Sequence, residues 1–299
     1  MNKKTVIHFL SVLILILIII SCQANSAPVS TVTSGKLKVL AAENFLADIT
    51  QQVAGQRLKV ESLMPVGVDP HTYEPTPQDI ARISDCQLLF VNGAGLEGWL
   101  QNILTNVGGS RKIIEVSTGI QSTNGDPHFW LDPNLVIRYI QNISDALTAA
   151  DPDGKSIYTA NGEVYIAQLK QLDSWITSEV GKLPANQRLL VTNHESLGYF
   201  ASRYGFKIIG SVIPNFSSDA APSAQQLAQL VTAIKATSAR AIFLEIGSNT
   251  QLANQISAET GLKVITDLYT ETLSEPGGKA PNYLAMMKYN TLSIVSALQ

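Results

Sequence analysis

The chain has 299 residues, of which 45% are hydrophobic and 15% are charged. This composition is typical of a well-packed globular protein, and the length is enough for two domains. The formal net charge of −3 gives no indication of binding to nucleic acid or to an anionic membrane surface.

The first 22 residues have the layout of a secretory signal. Two lysines, Lys3 and Lys4, precede an apolar run from Phe9 to Ile20, which is too short for a comfortable membrane span. The run ends in Ile-Ile-Ser-Cys, which resembles a lipobox and predicts lipidation of Cys22, with residues 23–35 as a flexible tether. An ordinary signal peptide with an incidental cysteine, or an uncleaved anchor helix, are the alternatives. We therefore expect an exported protein, anchored by its lipid on the extracytoplasmic face of the cell membrane.

Strands and helices alternate from Lys36 to about residue 150. The pattern predicts strands at 37–42, 58–64, 88–91 and 113–116, and helices at 45–53, from 77 onward and at 96–105. Thr76 suits the N-cap of the second helix, with Pro77 at its first position. Strands joined by crossover helices indicate a parallel sheet and an α/β lobe over residues 36–150. With Cys22 acylated, Cys86 has no partner, and we expect it to pack as a small apolar side chain.

A second α/β lobe is predicted over residues 185–299. Its strands are expected at 188–192, 206–209, 241–244 and 262–265, and its helices at 223–236 and 250–260. Between the lobes, residues 134–150 form one predicted helix and residues 155–183 a longer one, which Pro184 ends. The long helix falls within residues 151–184, spans roughly 40 Å, and could link the lobes stiffly.

Every histidine outside the signal falls in a loop that follows a predicted strand. These are His71, His128 and His194, and Asp267 directly follows the last predicted strand. Ligands of parallel α/β proteins bind at the carboxyl ends of strands, and three imidazoles with one carboxylate form a tetrahedral shell suited to Zn²⁺. Taken singly, each side chain also fits a solvated or helix-capping role, so the residues alone leave both interpretations open.

Several longer motifs resemble the zinc/manganese solute-binding proteins of ABC importers. They are Asp-Pro-His-Thr-Tyr-Glu-Pro-Thr-Pro from Asp69, Asn-Gly-Ala-Gly-Leu-Glu-Gly-Trp-Leu from Asn92, Asp-Pro-His-Phe-Trp-Leu-Asp-Pro from Asp126, and Thr-Asn-His-Glu-Ser-Leu-Gly-Tyr-Phe from Thr192. The resemblance runs from Lys36 to Gln299. It implies an α/β fold of two lobes, each with a roughly four-stranded parallel sheet flanked by helices, joined by one long rigid helix, with the metal held between the lobes.

The resemblance also implies the ligands and the partners. Carried over by position, the metal ligands are His71, His128, His194 and Asp267. Members resembling the manganese-selective group have glutamate at the third position, so His194 favours transported Zn²⁺ over Mn²⁺, in agreement with the preferences of imidazole. The segment 117–126 lacks the histidine-rich loop of many zinc-specific members, which leaves manganese open. We expect a monomer that delivers its metal to a membrane permease, with no enzymatic activity and no nucleic-acid partner.

Two other functions are compatible with these histidines. A secreted zinc hydrolase would use the three histidines with Glu195 or Glu245 as the base, but the chain has neither a His-Glu-x-x-His nor a Gly-x-Ser-x-Gly motif. A metal-binding surface adhesin is the other alternative. Glu195 is expected either to orient an imidazole or to lie in solvent at a helix start, and Glu245 to be an outer-shell or capping residue.

Overall fold

The computed structural model describes residues 37–299. The predicted signal segment, Cys22 and the predicted tether lie outside this range. Among the helices of residues 37–299, none is both long and apolar enough to cross a membrane.

The first half of the described chain forms a four-stranded, fully parallel sheet with the order β2-β1-β3-β4. Its strands are β1 (Val39–Ala41), β2 (Val60–Ser62), β3 (Leu88–Val91) and β4 (Lys112–Glu115). Its helices are α1 (Asn44–Ala54), α2 (Pro77–Asp85), α3 (Gly98–Leu104) and α4 (Pro133–Ala150). We refer to this part as the N-terminal lobe.

The second half repeats the same arrangement, with a parallel sheet in the order β6-β5-β7-β8. Its strands are β5 (Leu189–Thr192), β6 (Lys207–Ser211), β7 (Ala241–Glu245) and β8 (Lys263–Leu268). Its helices are α6 (Gly198–Tyr204), α7 (Ala224–Lys235), α8 (Gln251–Thr260) and α9 (Tyr283–Leu298), which follow the connecting helix α5 (Lys155–Val180). This part is the C-terminal lobe, and the predicted fold class of two parallel α/β lobes is confirmed.

Helix α5 has 26 residues and is therefore about 39 Å long at 1.5 Å per residue. It packs against α1 and α4 of the N-terminal lobe and against α9 of the C-terminal lobe. One continuous apolar core contains side chains from α5 and from both sheets, whereas the opposite face of each sheet has a separate small cluster. Because the lobes share a core, a large hinge motion would expose much apolar surface.

The caps explain where several elements begin. Thr76 accepts a hydrogen bond from the amide of Asp79, and the Asp79 carboxylate accepts one from the Thr76 amide, so the predicted N-cap is part of a full capping box. Ser223 and Gln226 form the same arrangement at α7. Cys86 is buried beside the carbonyl of Ile83, and burial raises the pKa of its thiol, in agreement with a packing role.

Candidate metal centre

Four loops bring the candidate ligands together at the carboxyl ends of strands. His71 lies between β2 and α2, and His128 lies between β4 and α4, so both come from the N-terminal lobe. His194 follows β5, and Glu271 follows β8, so these two come from the C-terminal lobe. Their four side chains form a group able to hold a metal ion. The group therefore lies where the two lobes face each other.

The four donor atoms lie at the spacing of a tetrahedral shell. The Nε2 atom of His128 is 3.3 Å from that of His71 and 3.2 Å from that of His194. Oε1 of Glu271 is 3.0, 3.3 and 3.1 Å from Nε2 of His71, His128 and His194. A regular tetrahedron with ligand distances of about 2.0 Å has edges of about 3.3 Å, so an ion of the size of Zn²⁺ fits at its centre.

Because the four donor side chains are buried, bringing them together is energetically unfavourable without a cation. His128 and His194 are fully buried, and the side chains of His71 and Glu271 are only 5% and 6% exposed. No donor hydrogen is directed at Oε1 of Glu271, although three ring nitrogens surround it. Four electron-pair donors that face one another in a dry pocket repel unless a proton or a metal ion lies between them. The donor set and its geometry therefore fit a divalent transition metal.

Carboxylates lie close to the Nδ1 atoms of two of the rings. Nδ1 of His128 lies 2.7 Å from Oδ1 of Asp126, and Nδ1 of His194 lies 3.1 Å from Oε1 of Glu245. A proton on each Nδ1 leaves the Nε2 lone pair free for a metal, which is the usual arrangement of metal-binding histidines. A Cβ at Gly198 would lie 2.6 Å from Oδ2 of Asp126, so glycine at this position allows α6 to approach the loop that carries His128.

The charges of the group are strongly coupled. Burial would lower the pKa of His194, but the carboxylates of Glu245 and Glu271 outweigh it and raise that pKa well above its ordinary value. Burial would raise the pKa of Glu271, but the three imidazoles, led by His194, lower it well below its ordinary value. The His194 imidazole and the neighbouring carboxylates therefore favour each other's charged forms.

Contrary to the prediction from the sequence, Asp267 does not belong to this group. Its carboxylate accepts a hydrogen bond from Tyr289 and pairs with the Lys279 ammonium at 3.1 Å, away from the histidines. The reason is that β8 continues to Leu268, three residues beyond the predicted end of the strand. Asp267 is thus a strand residue on the partly exposed side, and the loop that reaches the centre begins later and supplies Glu271.

The structure also separates the two glutamates that the sequence left open. Glu245 lies directly behind His194, in agreement with the outer-shell role that was one of its two predicted roles. It also accepts a hydrogen bond from the hydroxyl of Ser196 at 3.1 Å. The Glu195 carboxylate is not among the side chains of the group, and only its amide is engaged, with the carbonyl of Asn215. Sequence reasoning missed Asp126 as a partner, although the Asp-Pro-His spacing placed it two residues before a candidate ligand.

A small cavity of about 80 Å³ has Glu271 in its lining. Two further acidic residues, Asp69 and Glu245, line the same cavity, together with Gly67 and Gly247 of the neighbouring loops. The negative charge of this wall favours the approach of a cation over that of an anion.

A second buried acid pair lies in the N-terminal lobe. Glu97 accepts hydrogen bonds from the amides of Asn92 and Gly93, whereas no amide or hydroxyl donor reaches either carboxyl oxygen of Glu43. Both side chains are buried, and burial, followed by the charge of Glu97, raises the pKa of Glu43 well above its ordinary value. A protonated, uncharged Glu43 therefore avoids burying two like charges beside each other.

Replacing Glu43 with glutamine is expected to stabilise the metal-free protein, more at about pH 7.5 than at about pH 5. The folded protein binds a proton on Glu43 that the unfolded chain releases above about pH 4.5, so wild-type stability falls as the pH rises toward the raised pKa. Glutamine does not titrate, so it removes this dependence of the free energy of unfolding on pH, which is worth up to about 1.4 kcal/mol per pH unit. Urea unfolding at both pH values measures that free energy. Glu163→Gln, at an exposed position of α5, is the control. An equal gain in stability of Glu43→Gln at both pH values would contradict a proton bound at Glu43.

The fold and the group together define a class: a two-lobed α/β protein that holds three imidazoles and a carboxylate between its lobes. A family model described as zinc-uptake complex component A, periplasmic, matches residues 39–297, and the chain belongs to this family. The manganese-binding lipoprotein MntA of Halalkalibacterium halodurans is 34% identical, with 99% of each chain aligned. The iron ABC transporter substrate-binding lipoprotein MtsA of Streptococcus pyogenes serotype M1 is 30% identical over 97% of this chain and 96% of that one.

Solved structures agree with this membership. The Mn-bound periplasmic metal-binding protein from Candidatus Liberibacter asiaticus has a TM-score of 0.80 and 29% identity, covering 88% of this chain and 100% of that one. The periplasmic zinc-binding protein TroA from Treponema pallidum has a TM-score of 0.82 and 27% identity, covering 88% of this chain and 99% of that one.

Proposed function

We propose that this protein captures a divalent transition metal outside the cytoplasm and delivers it to an ABC importer. The observation that carries the proposal is the buried tetrahedral group formed by His71, His128, His194 and Glu271. Oε1 of Glu271 and Nε2 of His128 each lie 3.0–3.3 Å from the other three donor atoms. Membership of the family and the similarity to metal-binding lipoproteins and to periplasmic metal-binding proteins support it. Glu271 replaces Asp267 in the ligand set that the sequence predicted.

Zn²⁺ is the proposed metal, and Mn²⁺ is the alternative. Three imidazoles with one carboxylate oxygen suit Zn²⁺, and a compact four-coordinate shell suits it better than Mn²⁺, which is usually bound by more oxygen ligands. Similarity to a manganese-binding lipoprotein and to an iron transporter lipoprotein makes competition between metals the decisive measurement.

The four-ligand shell favours a binding protein over the hydrolase alternative. A catalytic zinc usually has three protein ligands and an open position for water, whereas Glu271 fills the fourth position here. Glu245, the candidate base of a hydrolase, lies behind the His194 ring on its Nδ1 side. Glu245 is therefore placed to orient that imidazole. The geometry of the metal group gives no support to the adhesin alternative.

Metal binding competes with protonation of the imidazole ligands. A histidine binds a metal in its neutral form, and the pKa of His194 is raised above its ordinary value by the carboxylates of Glu245 and Glu271. Affinity is therefore expected to fall as the pH drops. We propose that lipidation of Cys22 anchors the protein to the membrane, in agreement with its similarity to several lipoproteins. We also propose that the protein acts as a monomer.

A competitive metal titration tests the proposed function. Chelator-stripped protein, residues 23–299, is titrated with Zn²⁺ and with Mn²⁺ against a chelator of known affinity at neutral pH and again at about pH 6. We expect one tight site per chain that prefers Zn²⁺ and weakens at the lower pH. A site that holds Mn²⁺ equally well under competition would assign manganese or mixed transport. Absence of a tight site for either metal would overturn the proposed function.

A further inference from the structure

The ligand Glu271 belongs to the C-terminal lobe, but the N-terminal lobe holds the segment that carries it. The indole nitrogen of Trp130 donates to the carbonyl of Thr270 at 2.6 Å. Asn44, the first residue of α1, accepts a hydrogen bond from the amide of Leu273 at 2.7 Å and donates one to the hydroxyl of Thr272 at 2.9 Å. The residues on both sides of Glu271 are therefore fixed by the opposite lobe.

The same network reaches the loop of a second ligand. The hydroxyl of Thr272 also accepts a hydrogen bond from the amide of Gly67 at 2.8 Å, and Asn44 donates to the carbonyl of Pro65 at 3.1 Å. Gly67 and Pro65 lie in the loop between β2 and α2 that carries His71. Asn44 thus contacts the main chain of two ligand-bearing loops, one from each lobe, without contacting the metal group itself.

Burial gives these contacts a large effect on geometry. Asn44 is 9% exposed, and Thr272 is 5% exposed, so water cannot easily replace the amide if it is removed. Oε1 of the Glu271 carboxylate faces the three imidazoles, and the carboxylate depends on its main chain for its position. A displacement of that segment by even 1 Å would remove Oε1 from the tetrahedron and leave three imidazoles with an open fourth position.

From this network we infer that Asn44 is a positioning residue, which completes the metal shell by holding Glu271 across the lobe interface. The inference rests on the proposed function. Loss of the Asn44 contacts releases the Glu271 segment and loosens the His71 loop, whereas His128 and His194 keep separate supports in Asp126 and Glu245. The Asn44 contact thereby couples the closeness of the lobes to the number of ligands on the metal.

The test uses Asn44→Ala, with Asn142→Ala as the matched control. Asn142 donates to the carbonyls of Val116 and Thr118 at 2.8 and 2.9 Å. It therefore also fixes the start of a ligand-bearing loop, that of His128, by two hydrogen bonds, but within one lobe. The rate of zinc loss is measured by a chelator chase, and the Co²⁺ form is examined by visible absorption. Tetrahedral Co²⁺ absorbs more strongly than five- or six-coordinate Co²⁺, so this spectrum reports the ligand number, which a purely structural defect does not change.

For Asn44→Ala we expect zinc loss to be accelerated by about 10- to 100-fold and the Co²⁺ band to weaken, whereas Asn142→Ala keeps the wild-type rate and band. Thr272→Val removes only the shared hydroxyl and serves where Asn44→Ala does not fold. It is expected to change both readings in the same direction. Wild-type rates and spectra in both Asn44→Ala and Thr272→Val would overturn the inference. A wild-type protein that binds neither Zn²⁺ nor Co²⁺ would instead overturn the proposed function.

Discussion

Replacing Glu271 with glutamine is expected to lower the affinity for Zn²⁺ by at least about 100-fold, equivalent to about 2.7 kcal/mol. Glu271 is the only carboxylate in the group of four, and its Oε1 atom lies within 3.3 Å of all three Nε2 atoms. The amide has the same shape but no charge, so the buried cation loses its anionic ligand. Chelator competition at neutral pH, with the unfolding midpoint as a check on the fold, measures the effect.

Asp267→Asn is the matched comparison for this prediction. Asp267 bonds to Tyr289 and Lys279 at the partly exposed side of β8, so its loss is expected to leave the affinity for Zn²⁺ within about twofold of the wild type, as for a surface ion pair. If Asp267→Asn abolished tight binding and Glu271→Gln did not, the assignment from the sequence would be right and the one from the structure wrong.

The misplacement of the fourth ligand shows what the sequence could and could not predict. The apolar run 262–265 signals a strand, but nothing in the letters Thr-Asp-Leu marks whether the strand ends before or after them. In the structure Asp267 and Leu268 continue the strand, with Leu268 buried and Asp267 partly exposed, and the register with β7 shifts between Phe243 and Glu245. The error of three residues in the strand end moved the ligand from Glu271 to Asp267. The end was decided by the pairing of Leu268 with Glu245 of β7, which is a tertiary contact.

The two sheets and the long helix were predictable because their signals are local. Short apolar runs at regular spacing between helical segments indicate parallel sheets, and all eight strands occur where the pattern predicts them, with ends shifted by up to three residues. No bounds were predicted for helices α6 and α9, since α6 is only seven residues long and α9 is buried along much of its length, which obscures the amphipathic period.

Contacts between the lobes had no local signal. The pairing of Asn44 with Thr272 joins residues 228 positions apart, and the side chains of Asp126 and Glu245 become partners of histidines only after the loops have folded. The histidines themselves could be predicted because an imidazole at the end of a strand is unusual in type and position. Their asparagine, threonine and carboxylate supports are common loop residues and carry no such signal.

Replacing His128 with alanine is expected to lower the affinity for Zn²⁺ by at least about 1,000-fold, equivalent to about 4 kcal/mol. His128 is fully buried, and its Nε2 atom lies within 3.3 Å of three other donor atoms. No other donor group of the described residues is placed to take its position. Its removal therefore leaves three ligands around an ion that is shielded from most of the solvent.

Asp126→Asn provides the graded companion to this variant. The asparagine can still accept the proton of Nδ1 in His128, but it lacks the charge that makes the ring a stronger ligand, and the loss of such a partner typically reduces affinity by about 10- to 100-fold. We therefore expect the order wild type, Asp126→Asn, His128→Ala from tightest to weakest in the same chelator competition. Because Asp126 contacts the ring and lies outside the group of four, equal affinities for all three proteins would remove both residues from the centre. If Asp126→Asn bound Zn²⁺ more weakly and His128→Ala bound it as tightly as the wild type, Asp126 itself would bind the ion. The order of the two variants in affinity therefore decides which of the neighbouring side chains is the ligand.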